Sequence, residues 1–392
     1  MIYDIILVGS GIASLYCAYL LKELNPKIKI LLLEKDKRVG GRILNTNFHG
    51  VNIPLGAGVG RADKDYLLVD LIKRLEMKDL VHQGRNEHQY AKTIHKEPSF
   101  TIYNKVKKGR ISMFQRMKFE SFGKQMMGSK NYKDFVEAVG YSDFEKMDHV
   151  DVIKHYGMED NIDPINILYI PWKVLIDRLI HKIGANRIRY SQEVISIKDT
   201  ADGLTVYTQN KIYKCKELIC GGTITTMRKL FPRNKIYKDI MGQPFLRIYI
   251  KCSDFHKDIM REKIPATYIV GSPLQKIIPI NHDKGVYMIA YSDNDSAKLL
   301  YRYVKNNTIQ SYLENKISKL LNHEIKIDAL KHHYWSIGTH YYKPLSKEYK
   351  SREEFIEKAQ RPRDKIFVIG EVVALEQGWC EGALQSVHEI LY

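Results

Sequence analysis

Tyr3-Asp4-Ile5-Ile6-Leu7-Val8-Gly9-Ser10-Gly11-Ile12-Ala13-Ser14 is the stretch whose reading decides the fold. The run from Tyr3 to Val8, closed by Gly9, has the pattern of a strand buried on both faces of a parallel sheet. A helical pattern follows from Ala13 to Leu24, and Pro26 ends it. A second apolar run, Ile28 to Leu33, stops at the acidic Glu34, so strand, turn, helix and strand are complete within 34 residues. The sequence Gly9 to Ser14 therefore stands where a GxGxxG loop binds a dinucleotide. Gly9 permits the tight turn, Gly11 lets N–H groups of the helix start at Ile12 and Ala13 approach a pyrophosphate, and the small Ser14 replaces the third glycine. Glu34, 23 residues beyond Gly11, lies at the distance from which a carboxylate accepts hydrogen bonds from ribose hydroxyls. Its neighbour Lys35 is counted with the same site.

Around this core the composition is that of a globular protein. The 392 residues are 44% hydrophobic and 27% charged, which excludes a disordered or collagen-like chain and suggests two or three units. The five cysteines are odd in number and contain no CxxC pair, so reduced thiols and no metal site are expected. No signal-peptide pattern opens the chain, and no apolar stretch approaches the roughly 20 residues of a membrane span. A cytoplasmic protein without a membrane partner is the expectation. The net charge of +17 is the one unusual bulk property, and it favours an anionic partner such as nucleic acid. Abundant Ile, Tyr and Asn and the lack of a long basic block offer the plainer account, a lysine-rich composition.

The rest of the chain reads as two interleaved domains. The fold class expected is α/β: a Rossmann-like dinucleotide-binding domain with a β-meander, interleaved with a substrate domain of mixed sheet plus helices. Residues 1–83, 166–241 and 346–392 are assigned to the first, with 84–165 as a helical insertion and 242–345 as the substrate domain. The meander is expected from the segments Arg189 to Ile197, Leu204 to Gln209 and Lys211 to Leu218. Phe245 to Lys251, Ala266 to Val270 and Val286 to Tyr291 read as strands of a second sheet, and Ser296 to Leu321 as one or two helices. Lys365 to Ile369 returns to a buried strand, and Gly382 to Leu391 to a helix.

Arg38-Val39-Gly40-Gly41-Arg42, just after Glu34, separates FAD from NAD. It resembles the GGR signature of the flavin-containing amine oxidase family, which includes monoamine and polyamine oxidases. Glycines let the backbone pass close to a dinucleotide, and a guanidinium such as that of Arg42 can pair with pyrophosphate oxygens in a fork. Leu55-Gly56-Ala57-Gly58 resembles the family's small-residue stretch beside the flavin ring, and Val194 the strand valine that contacts the adenine end. Phe367-Val368-Ile369-Gly370-Glu371 with Gly378-Trp379-Cys380-Glu381-Gly382-Ala383-Leu384 resembles the family's closing motif. By that resemblance Glu371, with Gly370, serves the ribityl and phosphate region, and the helix at Gly382, Ala383 and Leu384 points its N-terminus at the flavin pyrimidine.

On the substrate side the resemblance implies an aromatic pair flanking the substrate nitrogen. Trp379 matches one member, and the other is sought in His340-Tyr341-Tyr342, with His340 as the ungapped match and Tyr342 as a further candidate. Thr339 falls where some relatives carry a flavin-bonding cysteine, so non-covalent FAD is implied. The family's strand lysine near the flavin falls on Leu246; because strand side chains alternate, either Arg247 substitutes by a register shift or the lysine is absent. Relatives lacking that lysine include desaturases and protoporphyrinogen oxidase-like enzymes. The activity implied is that of an FAD-dependent oxidoreductase moving hydride from an amine to flavin, with O2 reoxidation to hydrogen peroxide. The alternatives are a same-fold oxidoreductase on a non-amine, or a low-turnover flavoprotein bound to nucleic acid or another anionic partner.

Overall fold

A computed structural model describes residues 2–108 and 115–392. Its larger sheet has seven strands in the order 194–200, 203–208, 212–220, 2–8, 30–33 and 188–189, with Ile366–Val368 also paired to the strand Ile212–Cys220. The strands 2–8, 30–33, 188–189, 366–368 and the end of 212–220 run parallel; 194–208 folds back on 212–215 as the antiparallel meander. The continuous apolar runs have a simple cause. Ile5, Leu7, Ile30 and Leu32 enter one core, while Ile6, Val8, Leu31 and Leu33 enter another on the opposite face, so neither face tolerates a polar residue. Helices Ile12–Leu24, Tyr66–Arg74, Trp172–Ile183 and Cys380–Leu391 supply the first core.

The second sheet orders strands 327–342, 240–252, 286–293, 275–281, 267–271 and 88–90. One face buries Leu246, Ile248 and Ile250 against helices Lys257–Lys263, Asn294–Lys305 and Ile309–Leu321. The other packs Tyr249, Val286 and Met288 on the hairpin 45–54. Among the described residues between 96 and 162 five helices close on a core rich in aromatic rings, including Phe119, Phe122, Tyr132, Phe135 and Phe144.

Several element limits differ from the sequence reading. The expected strand Arg189 to Ile197 is broken into 188–189 and 194–200, because Ser191 takes a left-handed conformation (φ 53°) that no strand continues through. The expected helical region begins with strands, His82–Asn86 and His88–Tyr90, before its helices; residues 109–114 of it lie outside the described residues. The longest strand, Ile327–Tyr342, was not anticipated as one element. Its apolar positions are interspersed with Lys331, His332 and His333 and most of it is half-buried, so period-2 patterning is diluted.

Candidate dinucleotide and substrate site

The first strand delivers Gly9 to a turn and Gly11 to the N-cap of helix Ile12–Leu24, whose first turn has no side-chain cap. Its leading N–H groups have no intrahelical acceptor. A Cβ on Gly11 would meet no atom within 4 Å, so the loop opens on free space. The second glycine pair closes over it: Gly40 N–H donates to Ser10 O (2.9 Å), and Gly41, at φ 55°, comes so near that a Cβ would stand 3.2 Å from Gly11 Cα. Gly370 and Gly378 also face open space, each with a single atom just under 4 Å from a built Cβ. Unfilled donors, a positive helix end and a glycine-lined trench fit the pyrophosphate of a dinucleotide.

Ser14 stands elsewhere than in this cradle. Its buried Oγ has no hydrogen-bond partner among the described residues and faces Gly221, where a Cβ would lie 2.1 Å away; it spaces helix against strand. Glu34 is buried, and its carboxylate accepts from Ser10 N–H (2.8 Å), Ser10 Oγ–H (2.5 Å) and Asp36 N–H (2.9 Å). A carboxylate offers about four acceptor positions, so one remains for a ribose hydroxyl. Lys35 is exposed, and Val194 is buried in the second core.

A buried knot ties the two glycine motifs together. Glu371 Oε2 pairs with Arg42 Nη1 (2.8 Å) and accepts from His340 Nδ1 (2.5 Å); Oε1 accepts from His340 N–H (2.7 Å) and Gly378 N–H (3.1 Å). Burial would raise Glu371, but the Arg42 guanidinium and His340 hold it well below the usual carboxylate range. Burial pushes the His340 imidazole down, against the pull of Glu371. His340 Nε2 accepts from Ile224 N–H (3.1 Å), which fixes the neutral Nδ1–H tautomer. Both ring nitrogens are thus engaged, so His340 is a buried brace rather than an open ring facing a substrate. Tyr342 is likewise elsewhere: its hydroxyl donates to Ala374 O (2.9 Å), and its ring packs between Phe355 and Arg352.

Segment 55–58 is held by its backbone. Gly56 sits so close under the GGR turn that a Cβ would lie 1.7 Å from Arg42 O, Ala57 N–H donates to Arg42 O (3.1 Å), and Trp172 Nε1 donates to Gly58 O (3.1 Å). At the chain's end Gly382 passes Glu376 O at 2.0 Å from a built Cβ, and Ala383 and Leu384 are buried in the first core. Glu381 accepts from Leu67 and Leu68 N–H, capping the neighbouring helix.

Strand alternation resolves the choice at 246 and 247. Leu246 enters the helix-covered core, and Arg247 turns toward the small-residue segment, its Nη2 3.6 Å from a Cβ built on Gly58. Arg247 donates to Pro54 O (2.8 Å) and Tyr291 OH (3.0 Å) and stacks on the Tyr291 ring. Tyr291 meets Phe245 and, edge to face at 5.5 Å, Tyr141, whose ring carries the buried ammonium of Lys276 at 3.5 Å. Burial pushes Lys276 down to about 7 and Asp143 up to about 7. Trp379 is half-buried, with Arg61 4.1 Å from its ring centre. Tyr291, Tyr141 and Lys276 escaped the sequence reading, because nothing in the linear order links residues 141, 276 and 291. Among the described residues no group of three or more His, Cys, Asp or Glu could hold a metal ion, and no helix is long and apolar enough to cross a membrane.

Residues 7–75 match the family model described as an NAD(P)-binding Rossmann-like domain. No curated protein matches the chain in sequence. Over its whole length the chain has the fold of two groups of solved structures. One is a candidate protoporphyrinogen oxidase from Exiguobacterium sp. 255-15, with TM-score 0.72 and 14% identity over 99% of this chain and 97% of that one. The other is putrescine oxidase redesigned at its cofactor site: a single mutant gives TM-score 0.78 and 13% identity over 100% and 98% of the two chains, and a triple mutant 0.77 and 13% over 99% and 97%. The α/β class with a Rossmann-like domain expected from the sequence is the one observed.

Proposed function

We propose that the chain is an FAD-dependent oxidoreductase that oxidises a small-molecule amine, with FAD held non-covalently in the glycine cradle. The observation that carries the reading is the trench itself: an uncapped helix start at Gly11, the GGR turn folded onto it, and open space before Gly11, Gly370 and Gly378. FAD bound there would supply the redox chemistry: acceptance of a hydride from the substrate carbon and return of two electrons, with two protons, to O2 as hydrogen peroxide. The chain's own residues bind, orient and seal. The helix start and Arg42 would meet the pyrophosphate, Glu34 the ribose, and Glu371, fixed by Arg42 and His340, the ribityl and phosphate region. Gly58 and Trp379 border the substrate side, where Arg247 and the rings of Phe245 and Tyr291 form a wall that excludes water.

A second reading, a same-fold oxidoreductase acting on a non-amine, is favoured by one observation: an arginine, paired with neutral oxygens, faces Gly58 where a lysine would be expected for amine oxidation. The third, a low-turnover flavoprotein on nucleic acid or another anionic partner, rests on the net charge of +17. An anaerobic titration with putrescine, spermidine, spermine, aromatic monoamines and basic amino acids, following flavin absorbance, tests them together. Bleaching that air reverses with peroxide release is the expected result. A yellow protein that no amine reduces moves the assignment to the other readings, and a colourless protein that takes up no FAD overturns the cofactor.

A further inference from the structure

Three arginines are buried in the described residues: Arg61, Arg247 and Arg352. Two are neutralised within the fold. Arg61 pairs with Asp65, Asp160 and Glu376, and Arg352 with Asp151 (2.6 Å) and Asp148 (3.8 Å). Arg247 alone of the three has no carboxylate within ion-pair distance among the described residues; its hydrogen bonds end on Pro54 O and the Tyr291 hydroxyl. An uncompensated buried cation costs several kcal/mol, on the order of what the breaking of a buried ion pair costs. Here that cation is directed at Gly58, where a built Cβ would meet only the two terminal nitrogens of Arg247 within 4 Å.

The aromatic rings nearby agree in sign. A ring attracts a cation by its face. Tyr291 carries Arg247 at 4.5 Å, Tyr141 carries Lys276 at 3.5 Å, and Trp379 carries Arg61 at 4.1 Å. The Tyr291, Tyr141 and Trp379 rings thus each already carry a basic side chain of the protein, whereas Phe245 carries none. Lys276, itself buried, makes no hydrogen bond through its ammonium and no ion pair within 4 Å among the described residues, although Asp143 and Asp293 stand farther off in its field. Asp293 is consumed by Ser142 and Gln275, and Asp143 accepts from the Tyr156 hydroxyl.

We infer that the substrate carries a carboxylate, which docks on the guanidinium of Arg247 beside Gly58 while an apolar body lies along Phe245 and Tyr291. The inference rests on the oxidoreductase reading above, which makes this wall the substrate side, and it narrows the amine to one that also carries a carboxylate. Arg247 offers a planar fork of donors matched to two carboxylate oxygens, and docking there supplies the missing countercharge without displacing any internal ion pair.

Calorimetric titration of the FAD-loaded protein with phenylacetate and with phenethylamine, matched in ring and chain but opposite in charge, tests this. Phenylacetate is expected to bind at least tenfold more tightly. In Arg247→Met that binding falls at least tenfold, and Arg247→Lys, which keeps the charge but not the fork, recovers part of it, with thermal melts confirming that both variants fold. Equal or tighter binding of phenethylamine, or unchanged phenylacetate binding in Arg247→Met, overturns the inference. Flavin content is read separately. A protein that takes up no FAD yet binds phenylacetate through Arg247 overturns the function and keeps the carboxylate site; a flavoprotein that prefers the amine does the reverse.

Discussion

Single atoms decide which glycines belong to the fold and which to the ligand. At Gly56 the missing Cβ is required by the chain itself, since Arg42 O occupies its place. At Gly11 nothing in the chain requires it. Gly56→Ala is therefore expected to force the GGR turn away and to cost roughly 1–3 kcal/mol of stability or more, as overpacking does, measurable by urea unfolding. Gly11→Ala should unfold within about 1 kcal/mol of the parent, the size of an N-cap change, yet bind FAD at least tenfold more weakly by flavin-fluorescence titration. Equal loss of stability in both would contradict the assignment of Gly11 to the cofactor. The same scale separates Ser14 from its neighbours: the sequence placed it in the phosphate loop, and its position against Gly221 shows a spacer between helix and strand instead. That distinction is invisible in a linear motif, where a small third residue serves either purpose.

At the scale of elements, the site is built where ends of segments remote in sequence meet, and charged knots fix those ends. Arg61 joins Asp65 at the start of one helix, Asp160 in the helix Glu159–Ile162 and Glu376 in the turn before Trp379. Lys64 adds a second cation on Asp160. Arg61→Met would leave three carboxylates, two of them buried, without their common partner. Breaking a buried pair costs about 3–5 kcal/mol, and a loss of that order is expected in urea unfolding. Trp379 would also lose the guanidinium that covers its ring, so its quenching by the neutral acrylamide should rise; an unchanged unfolding midpoint would show that the knot contributes little. Elements with one clear period were legible in the sequence: the first strand, the helices Ile12–Leu24 and Trp172–Ile183, and the returning strand Ile366–Val368. The strand Ile327–Tyr342 was not, because a long strand with half-exposed, polar positions on both faces carries little period-2 signal.

Over the whole molecule buried groups of opposite sense act on stability as the pH changes: burial pushes His88 down to about 3, so its contribution is lost as the pH falls below about 6.5, and two buried acids work against it. Burial pushes Asp143 and Glu145 up to about 7, from unfolded values of about 3.9 and 4.3. Between those limits the folded chain holds protons that the unfolded chain has released, so these groups' contribution to stability is complete below about 4 and is lost as the pH rises through about 7. Each group contributes a slope of at most about 1.4 kcal/mol per pH unit. Glu371, held low by Arg42 and His340, acts in the opposite sense, and only as the pH falls below the ordinary carboxylate range. Asp143→Asn should make the slope of unfolding free energy against pH more positive between pH 4.5 and 7; an unaltered slope would mean that Asp143 does not hold its proton in the fold. The sequence by itself determined the α/β class and the succession of strand, glycine turn, helix and second strand from Tyr3 to Glu34, because a doubly buried strand, a glycine turn and a helix start are local events written in consecutive residues. It also determined that the strand Ile366–Val368, just before Gly370 and Glu371, returns to the same sheet, through a second local pattern. Only the tertiary structure decided that Arg247 rather than Leu246 faces Gly58, that His340 is a brace, and that Tyr141, Lys276 and Tyr291 stand together. Those outcomes depend on register, packing and the pairing of buried charge between segments more than a hundred residues apart, and no local pattern encodes them.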